Sequence, residues 1–306
     1  MGAYLFVHFI GTESTEMEEQ IYFSVSKDGS EWKTLNGGKP ALISNLGEKG
    51  VRDPFILRGE DGKFFIIATD LSIYHRSDNP QSWVDCQRNG SRSIIVWESD
   101  DIVNWSDARM VEVAAKDAGC TWAPESIYDP EKGMYMVYWA SQAAFDGYAK
   151  ERVYRAYTKD FKTFTEAEIY IDEPQSAIDT CILKRNDTYY RFTKDETHKA
   201  VTMMKSKSLS TGWEDVATYT INGVAGNTVF GFEGPTIFKY HGEDKWCLLL
   251  DNYAKRAGYK PFITTDLDKG EFTSPDDFNF DAIYRHGTVT PITDGEYTAL
   301  VEKYGF

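Results

Sequence analysis

Five short segments of this 306-residue chain begin with a residue able to exchange a proton and run straight into an apolar strand. They are Asp53-Pro-Phe-Ile-Leu, Glu125-Ser-Ile-Tyr, Asp179-Thr-Cys-Ile-Leu, Glu233-Gly-Pro-Thr-Ile-Phe and His286-Gly-Thr-Val-Thr-Pro-Ile. Their first residues are 72, 54, 54 and 53 positions apart. Removing a polar insertion, His75 to Gly90, brings the long first interval close to the others. Brought together, these residues would place four carboxylates and an imidazole in one pocket. Crowded carboxylates repel each other's charge, which raises some pKa values and separates acid from base roles near neutral pH. Such a set suits glycoside hydrolysis.

The elements that must carry these residues recur with them. After each segment come a turn and an aromatic-rich second strand: Gly62 to Asp70, Gly133 to Ser141, Asp187 to Thr193 and Asp244 to Asp251. Gly and Asp supply the turns, and β-branched and aromatic residues suit a half-buried pleated surface. A third strand follows and ends in a charged turn and an aromatic, as at Ile95 to Trp105 and Arg155 to Phe164. The N-terminal Tyr22 to Trp32 is the same third element, with a second-strand match at Tyr4 to Ile10. The fifth unit is thus split: its first strand, His286 to Ile292, comes from the C-terminus, and the rest from residues 4 to 43. A repeat of this length made of about four strands is a propeller blade. The expected fold is all-β, a five-bladed β-propeller in one domain spanning 1–306. The tail from Thr293 to Gly305 breaks the pattern, since Tyr297, Leu300, Val301 and Tyr304 follow helical spacing, and it reads as a short external helix.

With 33 Lys+Arg against 48 Asp+Glu, the formal net charge is −15, which argues against nucleic-acid binding. No apolar run approaches the roughly 18 residues of a membrane helix, so no membrane partner is expected. Met1 to Glu19 turns acidic after ten residues and lacks the pattern of a signal peptide. Cys86, Cys120, Cys181 and Cys247 show no paired spacing and read as buried free thiols. A reducing, cytoplasmic setting is the expectation. The acidic runs Glu13 to Glu19 and Asp276 to Asp281 read as solvated loops.

Taken together, the motifs resemble glycoside hydrolase family 43, five-bladed propellers acting on arabinose- and xylose-containing glycans. The matching segments are Val51-Arg-Asp-Pro-Phe-Ile, Thr121-Trp-Ala-Pro-Glu125, Ala177-Ile-Asp-Thr-Cys-Ile, Phe232-Glu-Gly-Pro-Thr-Ile-Phe and Arg285-His-Gly, in order along nearly the whole chain. The resemblance implies an inverting mechanism with Asp53 as general base, Glu233 as general acid and Asp179 as the carboxylate that tunes the acid. Inversion needs base and acid roughly 6.5–9.5 Å apart with room for water. Two departures stand out: Thr180 replaces the usual Pro after Asp179, and Glu125 stands where Asp is more frequent.

Flanking residues carry more than one reading. Glu233, between Phe232 and an apolar strand, is placed for the raised pKa an acid needs. Glu125 either meets substrate hydroxyls or balances Arg52 or Arg285. Trp122 and Phe232 either stack on a sugar or belong to the core, the former reading being favoured for Trp122. Arg285 lies beside the channel, and Trp83 in the insertion reads as a rim residue. His286 is either a metal ligand or a hydrogen bonder; the resemblance implies a structural calcium in the channel, held through water by this histidine, although catalysis by two carboxylates requires no cofactor.

The expected activity is exo-acting release of terminal α-L-arabinofuranosyl, and also β-D-xylosyl, units from arabinose- or xylose-containing oligosaccharides. Two alternatives remain: a propeller phosphorylase, for which the motifs show no dense basic set besides Arg52, Arg285 and His286, and a non-catalytic sugar-binding propeller.

Overall fold

The computed structural model describes residues 2–76, 82–216, 220–221, 224–225 and 231–306. The mature architecture follows from strands that are apolar on both faces. In Phe64–Asp70, for example, Phe64, Ile66 and Ala68 pack to one side and Phe65 and Ile67 to the other. A sheet buried on both faces must be sandwiched, and radial repetition achieves this by stacking each sheet on two neighbours. Five apolar clusters result, one in each seam between adjacent blades.

The inner strands are Val51–Arg58, Trp122–Asp129, Ala177–Arg185, Glu233–Lys239 and Arg285–Thr293. Each pairs antiparallel with the second strand of its blade. The fifth blade closes the ring from both chain ends, as expected, with Gly2 opposite Thr293 and Phe9 opposite Arg285. Its outer edge holds one strand the repeat did not suggest: Asn279–Phe280 runs parallel to Glu31–Trp32.

The tail forms a helix, Asp294–Tyr304. Thr293 caps it, its Oγ1 accepting the Glu296 amide at 3.1 Å while the Glu296 carboxylate accepts the Thr293 amide at 2.8 Å. Arg58 of blade one donates two bonds to Glu296, at 2.9 and 2.8 Å, and Leu300, Val301 and Tyr304 cover the seam beneath. The insertion His75 to Gly90 lies partly outside the described residues; its second half is a helix, Ser82–Asn89. All four cysteines are buried and unpaired. Among the described residues no helix is long and apolar enough to cross a membrane.

Candidate active site

Every inner strand carries an irregularity at the same depth. The antiparallel register slips between Arg52 and Phe55, between Trp122 and Glu125, between Ile178 and Thr180, and between Glu233 and Thr236. At each slip one residue is left-handed: Asp53 (φ 51°), Ala123 (φ 47°), Asp179 (φ 45°) and Gly234 (φ 53°). Asp tolerates this conformation better than most residues, and Gly adopts it freely. At Gly234 space adds a second constraint, because a Cβ there would come 2.7 Å from the His286 ring. Bulges of this kind re-aim side chains next to functional sites.

This alignment sorts the sequence candidates into layers. The residues just before the bulge position, Arg52, Trp122, Ile178, Glu233 and, in blade five, Arg285, all line one cavity of about 400 Å³. The bulge residues Asp53 and Asp179 follow directly, with His286 between them. Glu125 lies two positions beyond the bulge of its strand, deeper in the channel, so it does not face the cavity as the simple repeat alignment implied.

At the axis, Nδ1 of His286 is 3.3 Å from Oδ1 of Asp53 and 3.9 Å from Oδ2 of Asp179. Burial opposes charge on the imidazole, but Asp179 and Asp53, with Glu125 behind them, outweigh it and raise its pKa to about 10. For Asp53, burial pushes the pKa up, yet His286, Arg52 and the Thr69 hydroxyl (2.9 Å) overcome it and hold the carboxyl below its ordinary range. Its side chain keeps 16% exposure, enough for a water to reach it. Asp179 behaves oppositely: burial, with Glu233 and Asp53 adding, lifts its pKa to about 6 against the pull of His286 and Lys194. Its Oδ2 accepts the backbone N–H of Gly234 at 3.0 Å, so it anchors the residue that follows Glu233.

Glu233 is the carboxylate that reaches the cavity, and its side chain is 23% exposed. The Lys194 ammonium lies 3.0 Å from Oε2, and the Arg285 guanidinium 3.3 Å from Oε1. This differs from the apolar setting suggested by the sequence. Phe232 turns away and packs against Phe262 at 5.8 Å between ring centroids, joining the seam between blades three and four rather than the cavity wall.

Glu125 balances neither Arg52 nor Arg285. Buried, it accepts the Tyr138 hydroxyl at 3.0 Å, and burial, only partly countered by His286 and Tyr138, raises its pKa to about 8. Arg52 is instead paired with Glu19 at 2.8 Å and Glu13 at 3.1 Å. The run Glu13 to Glu19 is therefore no solvated loop: Glu19 is buried and accepts bonds from Arg52, the Ser72 hydroxyl (2.6 Å) and the amides of Ile73 (2.8 Å) and Tyr74 (3.1 Å). Arg285 is paired with Asp251 at 2.5 Å as well as with Glu233.

Sequence reasoning missed Lys194, Glu196, Asp251 and Tyr253. Lys194 is the least expected, a lysine with 2% side-chain exposure at the end of an aromatic strand, held by Glu196 (2.7 Å) and Glu233 and lying 4.1 Å above the Tyr253 ring. A lysine inside so apolar a strand was itself a signal, since such a charge is buried only when paired. With Arg256, it makes the cavity wall more basic than the motifs alone indicated. The three buried cations, Arg52, Lys194 and Arg285, each meet two carboxylates.

Calcium takes six to eight oxygen ligands. Here the space between Asp53 and Asp179 is filled by His286, whose raised pKa keeps both ring nitrogens protonated near neutral pH and leaves no lone pair for a metal. Among the described residues no three His, Cys, Asp or Glu side chains are grouped to hold a metal ion. These residues do not form a direct ligand set for calcium.

The fold is that of solved family-43 glycoside hydrolases. A thermostable member aligns with 80% of this chain and 78% of its own at 17% identity and a TM-score of 0.55, and a family-43 β-1,3-galactosidase solved with galactodeoxynojirimycin aligns with 86% and 88% at 12% identity and 0.60. The chain belongs to the glycoside hydrolase 43-related family described as a probable glycosyl hydrolase domain, whose model matches residues 1–298. A curated relative named alpha-L-arabinofuranosidase, from Bifidobacterium longum subsp. longum, is 30% identical over 290 residues, covering 80% of this chain and 26% of that protein. The chain thus spans about a quarter of the length of that relative.

Proposed function

We propose that the protein is an exo-acting, inverting glycosidase that removes a terminal α-L-arabinofuranosyl unit from an oligosaccharide, with β-D-xylosyl as a second substrate, and that it needs no cofactor. Asp53 is the general base, Glu233 the general acid and Asp179 a positioning residue. The observation that carries this reading is the Asp53–His286 pair: the imidazolium holds Asp53 ionised, as a base must be to take a proton from water. Glu233 is placed to donate to the leaving oxygen, because it alone of the three carboxylates lines the cavity. Asp179 acts on Glu233 through the backbone, fixing Gly234 and with it the rotamer range of the acid.

A cavity of about 400 Å³ lies near the lower end of the ~300–1,000 Å³ typical of small-molecule sites. That supports binding of one or two sugar rings in a closed-ended pocket, hence exo action, and disfavours a polymer lying through a groove. The arabinose preference leans on the name of the curated relative, and the galactosidase among similar folds marks galactose as the competitor to exclude.

The test is a side-by-side assay of aryl α-L-arabinofuranoside, β-D-xyloside and β-D-galactoside, with and without inorganic phosphate. Release from the arabinofuranoside that is independent of phosphate and abolished in Asp53→Asn supports the proposal. Release that requires phosphate would assign the basic wall to an attacking phosphate and make the protein a phosphorylase. Preferential release from the galactoside would overturn the sugar assignment.

A further inference from the structure

The helix Ser82–Asn89 belongs to blade one alone, and it brings Trp83 to the cavity wall. Trp32, Trp97, Trp139 and Trp246 are fully buried, whereas Trp83 is 48% exposed. Exposing an indole is costly unless something covers it, and an exposed aromatic beside a polar pocket marks a binding surface. Trp83 meets Trp122 nearly at right angles, with ring centroids 6.2 Å apart and planes at 86°, so the two indoles form a corner.

That corner is held rigidly. The Arg52 guanidinium lies 5.6 Å from the Trp83 ring centroid and is itself fixed by Glu13 and Glu19. One turn along the helix, the Gln87 amide donates to Glu151 of blade two at 2.8 Å. On the other side, Arg76 pairs with Asp85 of the helix and, at 2.6 Å, with Glu48. A ligand ring placed there loses little to ordering of the protein, which favours affinity.

We propose that Trp83, with Trp122 beside it, is the platform for a pyranosyl ring of the leaving group. This rests on the glycosidase reading above. The sugar being released must sit at the axis, by Asp53 and Glu233, so whatever covers a half-exposed residue on the rim is the part of the substrate that leads outward. A chair-form pyranose presents a face of C–H groups to an aromatic ring, whose negative face attracts them, and keeps its hydroxyls at the edge for water. A puckered furanose offers a smaller and less flat face. The substrate class is therefore a terminal unit attached to a pyranose backbone, not a chain of furanoses.

The experiment compares Trp83→Ala and Trp83→Phe with the parent enzyme on two substrates that share the cleavable sugar. One is a pyranose-backboned oligosaccharide; the other is the methyl glycoside, whose leaving group has no ring. The Ala variant should raise KM for the oligosaccharide about tenfold with little change in kcat, the Phe variant should recover most of it, and the methyl glycoside should change less than twofold. An equal loss on both substrates, or no change on the oligosaccharide, overturns the platform. Calorimetric binding to Asp53→Asn, with and without Trp83→Ala, separates the two layers of inference. If Asp53→Asn binds no oligosaccharide of any kind, the glycosidase reading itself fails; if it binds and the added Ala does not weaken it, the platform alone fails.

Discussion

His286 holds its imidazole Nδ1 3.3 Å from Oδ1 of Asp53, and both groups are charged: the histidine pKa is raised to about 10 and the aspartate pKa is depressed. An aspartate buried at a propeller axis would otherwise be pushed toward its neutral form, and a neutral carboxyl cannot take a proton from water. The imidazolium therefore does the work that a metal cation does in other buried carboxylate sites.

Replacing His286 with Gln removes that charge while keeping a hydrogen-bond donor. Activity that depends on an ionised base is lost as pH falls through the pKa of that base. The acidic limb of kcat/KM should consequently move upward by a unit or more, costing at least about tenfold at pH 5 and much less at pH 8. A pH–rate profile of the two proteins measures this; coincident acidic limbs would show that something other than His286 sets the ionisation of Asp53.

Glu233 should reveal its role through the leaving group. With Gln in its place no proton is donated, so hydrolysis of an oligosaccharide, whose alkoxide leaves poorly, should fall roughly 10²–10⁴-fold. A nitrophenyl glycoside departs without protonation and should lose far less. Parallel kcat/KM measurements on the two substrates check it, and equal losses would remove Glu233 from the acid role.

Much of this arrangement was legible before any coordinates. Acid-headed strands recurring every fifty-odd residues gave five blades, the split fifth unit gave the closure, and Thr293 followed three residues later by Glu296 gave the capped tail helix. Depth along the channel was not legible. Asp53, Glu125, Asp179 and Glu233 look equivalent in a repeat alignment, but a bulge shifts each side chain by a residue, so Glu233 lines the cavity and Glu125 is buried against Tyr138. Partners distant in sequence were equally hidden. Glu19 reads as one of several surface acids until the ring closes and places Arg52 against it, and Lys194 gains its meaning only from Glu233 in the next blade.

Glu19 has four bonds converging on one buried carboxylate, and it links the N-terminal segment to blade one. Truncation to Ala leaves the buried Arg52 guanidinium with Glu13 alone and orphans the Ser72 hydroxyl and two amides. Breaking a buried pair on one side costs about 3–5 kcal/mol. Denaturant unfolding should show that loss through an earlier midpoint at unchanged slope. A loss below about 1 kcal/mol would mean that water replaces the carboxylate.

Glu125 makes a prediction of the opposite kind, about pH and not about contacts. Its folded pKa of about 8 lies above the ordinary value of 4.5, so the folded protein retains a proton that the unfolded chain releases. Its favourable contribution is complete below pH 4.5 and is lost as pH rises through 8, with stability falling by at most about 1.4 kcal/mol per unit between those limits. Glu125→Gln is uncharged throughout and can still accept the Tyr138 hydroxyl. The variant should match the parent near pH 4.5 and surpass it progressively up to pH 8, while any other pH-dependent groups affect both proteins alike. Unfolding free energies at pH 5, 6.5 and 8 decide the matter: parallel curves would mean that Glu125 is already ionised in the folded channel, with His286 compensating it fully.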